Sequence, residues 1–197
     1  MSLVATASLK EFFKALLDAG LDQQGLRVAD GTEFYLVNLL SDFAAAERLF
    51  PEEETQGRKD HEPLALMYHR ALQQGREEQI RTLRRLGDVS LYKAGFFAAA
   101  LRESVVGHDY YVRMGGAAYG QVASMTASAF SDIYRELCEK FKVLTELLEG
   151  IAAQGLVRTS ATGVLKVYQA WARTGSGQLE RVLVDAGLFP VKPGMAN

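Results

Sequence analysis

The 197 residues include 48% hydrophobic and 23% charged side chains, with a net charge of −2 at pH 7. This is the make-up of an ordinary globular domain rather than a disordered chain. So small a charge supplies no global field for nucleic acid or anionic lipid, a single cysteine excludes an internal disulfide, and no apolar run approaches the ~20 residues that cross a bilayer.

At the start, no basic segment leads into an apolar stretch, so no secretory signal is expected and the expected location is cytoplasmic. Ser8-x-x-Glu11 has capping-box spacing, and Leu9, Phe12, Phe13, Leu16 and Leu17 form one helical face that Gly20 would stop. Residues 26–37 read two ways. Asp30-Gly31 between apolar runs fits a β-hairpin, whereas Leu36, Leu39, Leu40 and Phe43 keep helical spacing for longer and favour a helix over 33–49 with Thr32 as its cap. Residues 51–60 are a charged, exposed loop. Pro63 suits the first turn of a long helix to about Leu86, whose polar middle at 73–79 would bridge solvent or another subunit.

A short helix through Leu91 and Tyr92 should turn near Gly95, and a second through Leu101 should end near Gly107. Asp109 would cap a further helix carrying Val112, Gly116, Tyr119 and Met125. Phe130, Ile133, Tyr134, Leu137, Phe141, Leu144, Leu148 and Ile151 repeat at three and four, the seam spacing of helix-on-helix packing. A helix from Ser160 should turn Leu165, Tyr168 and Trp171 inward, and a last one should run from Gln178 to Ala186. The expected fold is all-α: a single-domain bundle of about seven to eight helices over 1–190, with residues 191–197 as a C-terminal tail.

Catalytic vocabulary is sparse. His61 and His69 would stand ~12 Å apart on one helix, too far to share an ion, and the helical zinc and di-iron spacings are absent. Cys138 sits beside Leu137 and Tyr134, where a free thiol acts as a small hydrophobe. Thr174-Gly175-Ser176-Gly177 follows a helix rather than a strand and reads as a terminator instead of a phosphate loop. Arg81, Arg84 and Arg85 form a weak anion-binding cluster, with Glu77 four residues ahead of Arg81 in the orientation of a solvated helix surface. Neither catalytic residues nor metal ligands are assigned, no cofactor is expected, and a nucleic-acid partner is not expected.

The densest feature is residues 86–120, where Tyr92, Phe96, Phe97, Tyr110, Tyr111 and Tyr119 lie among glycines that each cost about 0.8–1.0 kcal/mol inside a helix. Close helix crossings or helix ends are required there. Tyr110 and Tyr111 point ~100° apart on one helix, so one of them belongs at a rim. The candidate binding residues are Asp88, Tyr92, His108, Tyr110, Tyr111, Arg113 and Tyr119.

The pattern Gly87-Asp88-x-x-Leu91-Tyr92-x-x-Gly95-Phe96-Phe97, then Asp109-Tyr110-Tyr111 and Gly116-x-x-Tyr119, resembles uncharacterised bacterial all-α proteins. The resemblance covers the middle third of the chain and implies a bacterial, cytoplasmic origin. His69 or His61, then His108-Asp109, then Asp132 stand in an order similar to that of all-α phosphohydrolases of the HD class, which hold divalent ions. The doublet lies in VVGHDYYVRM rather than ending an apolar helix, so Asp109 reads first as a cap and His108 as a loop residue.

The leading expectation is a non-enzymatic protein acting by protein–protein binding or self-association. A small-molecule sensor or carrier with an aromatic-lined pocket is the alternative. An HD-like metal-dependent hydrolase ranks last.

Overall fold

The computed structural model describes residues 2–49, 62–127, 129–159 and 161–190. The charged loop expected at 51–60, the tail at 191–197, His61 and Ser160 lie outside them. Ten helices and no strand occur among the described residues: α1 Ser2–Gln24, α2 Asp30–Leu49, α3 Leu64–Leu72, α4 Arg76–Phe96, α5 Ala98–Glu103, α6 His108–Met125, α7 Ala129–Glu139, α8 Phe141–Thr159, α9 Ala161–Thr174 and α10 Gly177–Asp185. The fold is all-α, and the expected count of seven to eight is too low because two long helices are broken. The helix from Pro63 stops at Leu72 and restarts after Gly75, which becomes the N-cap of α4. The seam helix pauses at Lys140 between α7 and α8.

Residues 26–37 contain no hairpin; α2 begins at Asp30. Its N-terminus is capped from outside. The Glu136 carboxylate of α7 accepts the Ala29 N–H at 3.0 Å and the fully buried Thr32 hydroxyl at 2.5 Å, and pairs with Lys140 at 2.7 Å. Burial works against the Glu136 charge, but the bonds from Lys140, Thr32 and Ala29 prevail and hold its carboxyl below the usual range. The first helix also differs from expectation. It begins at Ser2, so Ser8 lies inside it, and it runs through Gly20 to Gln24, ending where Gly25 takes a left-handed φ of 61°.

Glycines inside helices mark close crossings rather than ends. A Cβ on Gly87 would stand 2.5 Å from the Tyr119 ring, one on Gly95 2.4 Å from Leu148 Cβ, and one on Gly115 2.2 Å from the Phe141 ring. The α4 helix therefore runs unbroken past Leu86 and Gly87 and ends at Phe96, so the turn expected near Gly95 falls at Phe97. It packs on α6, α8 and α3, while α6 packs on α7. Gly107, not Asp109, is the N-cap of α6.

The buried side chains form two cores. The larger joins α1–α4 with α6–α8 around Leu17, Leu36, Leu40, Leu86, Leu137 and Leu144. The seam residues from Tyr134 to Ile151 face it as expected, but Phe130 is exposed. The smaller core holds Ala153, Val167, Ala170, Trp171, Leu179 and Leu183, from α8, α9 and α10. Here Val167 and Ala170 point inward with Trp171, while Leu165 and Tyr168 face outward. No helix among the described residues is long and apolar enough to cross a membrane.

Candidate functional site

Residues 86–120 divide into an inner and an outer set. Asp88 on α4 is the centre of the inner set. Its Oδ1 accepts hydrogen bonds from the Tyr35 hydroxyl of α2 at 2.5 Å and the Tyr119 hydroxyl of α6 at 2.8 Å. Tyr119 is fully buried, and its ring stands 5.9 Å from Tyr134 and 5.8 Å from Phe141. Burial raises the Asp88 carboxyl above its usual range, against the pull of the two phenols and of Arg84 and Arg85. Burial, then the Asp88 charge, pushes both phenols upward, so they remain donors. The arrangement pins three helices together through one oxygen.

Tyr92 belongs to the same interior. It stacks on Phe43 at 4.3 Å and Phe96 at 4.9 Å, and the Arg85 guanidinium lies 4.8 Å above the Phe43 ring. Arg81, Arg84 and Arg85 are exposed on α4, and Arg84 lies near the phenols of Tyr134 and Tyr35 and the Asp88 carboxylate.

The outer set is at the start of α6. His108 is half-buried with Nε2 3.1 Å from the Ala94 carbonyl, which ties α6 to α4. Tyr110 and Tyr111 are half-buried and meet edge to face at 5.7 Å, and Arg113 is exposed. The seven candidate residues thus fall into separate groups: a hydrogen bond joins Asp88 to Tyr119, and a ring contact joins Tyr110 to Tyr111. The residues of the HD-like order are dispersed: His69 bonds Gln73, Asp109 is exposed, and Asp132 pairs with Arg135. No group of three or more His, Cys, Asp or Glu among the described residues is placed to hold a metal ion.

An apolar cleft of about 510 Å³ lies at the seam between the two cores. Its floor and walls come from the turn at Phe96 and Phe97, the alanines Ala98–Ala100 and Ala152–Ala153, and Val167 of α9. Small side chains from helices that meet at an angle leave this space unfilled. Glu149 forms part of the wall at only 6% exposure. Its carboxylate is held by Arg102 of α5 at 2.6 and 3.3 Å and by the Ser176 hydroxyl at 3.2 Å. Lys166 and an Arg173–Glu103 ion pair stand around the same cleft. Beside it, the indole N–H of the buried Trp171 finds no hydrogen-bond acceptor among the described residues.

Sequence alone does not single out Arg102, Glu149, Lys166 or Arg173, and it reads Ser176 only as part of a helix terminator. Arg102 and Glu149 are 47 positions apart, and each alone looks like a surface charge. The visible signal is the pair of alanine runs, which sit too close to the core pattern to be told from packing.

Compared with family models, curated proteins and solved structures, the chain matches none. Fold and site together define an all-α bundle with a polar pin in its main core and an apolar cleft beside its second.

Proposed function

We propose that the protein acts by binding a small molecule, as a sensor or carrier, in the cleft between α5, α8, α9 and α10. The supporting observation is the cleft itself: about 510 Å³, within the ~300–1,000 Å³ range of small-molecule sites, mainly apolar with a few placed charges. The ion pair of buried Glu149 with the partly exposed Arg102 gives its wall a fixed shape.

The test is a thermal-shift series with 1-decanol together with native mass spectrometry of the purified protein. A ligand present at 100 times its Kd stabilises by about 2.7 kcal/mol, which raises the melting temperature by several degrees in a chain of this size. Ala152→Trp, and independently Ala100→Trp at an exposed rim position, should abolish the shift and any copurified mass. Equal responses from wild type and both variants would sink the reading.

A second reading, association with a protein partner or a second copy, is favoured by one observation. The Tyr110–Tyr111 pair and exposed Arg113 adjoin a bend where Val105 and Val106 are 104% and 43% exposed. Tyrosine and arginine are enriched at such surfaces. Replacing exposed Arg113 by glutamate should then shift the sedimentation profile toward smaller species while leaving the melting temperature nearly unchanged; an unaltered profile would remove this reading.

A further inference from the structure

We infer that the ligand is an amphipathic anion, with its apolar body in the cleft and its carboxylate or similar group held at the Arg173–Arg102 end. The inference rests on the ligand-binding reading above and specifies its chemistry.

Three observations support it. First, a smaller hollow of about 220 Å³ adjoins the cleft; the two share Ala99, Glu103 and Arg173, so one molecule can occupy both. Second, the larger space is walled chiefly by alanines, Phe96, Phe97 and Val167, with Glu149 and Lys166 among its few charges, whereas apart from Ala99 the smaller is walled by Arg102, Glu103, Arg173 and Thr174. The long axis of the combined site therefore runs from apolar to charged. Third, the charges around it do not cancel. Arg102, Arg173 and Lys166 face Glu103 and Glu149, leaving one net positive charge.

The cations differ in availability. Arg102 spends two donors on buried Glu149 and is 29% exposed. A guanidinium has five donors, so it retains others for a ligand. Arg173 is 58% exposed, and its partner Glu103 is 57% exposed. So exposed a pair is weak, and an incoming anion can displace Glu103 and take over the planar fork of Arg173. A cationic amphiphile could open the same weak pair to reach Glu103, but the net positive lining disfavours it and Glu149 is enclosed by Arg102 and Ser176.

Trp171 is the only tryptophan and lies in the second core beside the cleft-lining Ala170, so its emission supplies the readout. Wild type, Arg173→Gln and Ala152→Trp should be titrated by calorimetry with decanoate, 1-decanol and decyltrimethylammonium; Trp171 emission is followed in the first two, whose folding is checked by thermal melts. Decanoate should bind wild type at least about tenfold more tightly than decanol, a difference that added salt reduces. Arg173→Gln should erase most of that advantage without weakening decanol, Ala152→Trp should bind neither, and the cationic probe should not compete.

Decanol binding as tightly as decanoate, an advantage that survives Arg173→Gln, or competition by the cation would overturn the anion inference and leave the ligand-binding reading intact. Failure of both decanol and decanoate to bind wild type would overturn both. Decanoate binding unchanged in Ala152→Trp would place the anion elsewhere and likewise overturn the inference.

Discussion

Asp88→Ala should be among the most damaging single substitutions in this chain, and Asp88→Asn among the mildest. Alanine removes the one oxygen that accepts from both Tyr35 and Tyr119, leaving two phenols in the interior without that acceptor. At roughly 1–3 kcal/mol for each unsatisfied group, the loss is about 2–6 kcal/mol, or a fall on the order of 10 °C in melting temperature. Asparagine retains a carbonyl oxygen for both donors and removes the ionisable group.

The sign of the pH dependence follows from the raised carboxyl of Asp88. A group whose folded pKa exceeds its unfolded one, near 3.8, contributes its full stability below the unfolded value and loses it as pH rises through the folded value. Wild type should therefore lose ground to Asp88→Asn between pH 4 and pH 7. Chemical denaturation of the three proteins at both pH values measures this. Equal destabilisation by alanine and asparagine would mean that the carboxylate charge, not the shared acceptor, holds the three helices.

The second large effect is expected at Arg102. Removing it by Arg102→Ala leaves the nearly enclosed Glu149 with the Ser176 hydroxyl as its remaining partner among the described residues. Breaking a fully buried pair from one side costs about 3–5 kcal/mol, and the partly exposed Arg102 lowers that here to about 1–3 kcal/mol, whereas replacing both members by apolar side chains of similar volume is often neutral. Arg102→Ala should thus lower the melting temperature by about 5 °C, and the double variant Arg102→Met/Glu149→Leu should recover most of it. A double variant no more stable than Arg102→Ala would show that the pair supplies net stability. Because Arg102 and Glu149 connect α5 to α8 at the wall of the cleft, the double variant also separates shape from charge: it should keep decanol binding and weaken decanoate.

Much of the helical architecture is legible in the sequence because it depends on local spacing. The three-and-four repeat from Tyr134 to Ile151 faces the main core, and the left-handed Gly187 lies just beyond α10. What local spacing cannot express is which glycine ends a helix and which admits a neighbour. Gly20 reads as a stop, and the helix from Pro63 reads as ending just before Gly87. Both glycines instead lie inside a helix, opposite a large side chain that arrives from a distant part of the chain, Leu147 and Tyr119, whereas Gly95 faces Leu148 and also precedes the expected turn, at Phe97.

The same limit applies to the site. Tyr92 and Tyr119 stand out in the sequence as unusual, but their roles come from Phe43 and Tyr35, which arrive on α2. Tyr110 and Tyr111 do not divide into one inward and one rim residue: both are half-buried and both pack against the main core. The cleft is the least legible part, because it is an absence of side-chain volume created by alanines on several helices.

The most direct measurement of where a ligand sits is the change in backbone amide and indole NMR signals on titration with decanoate. Binding in the cleft should move signals from residues 95–103, 149–156 and 166–179 together, and with them the Trp171 indole N–H. Shifts centred on Tyr110, Tyr111 and Arg113, or no shifts at saturating decanoate, would contradict a ligand site between the two cores.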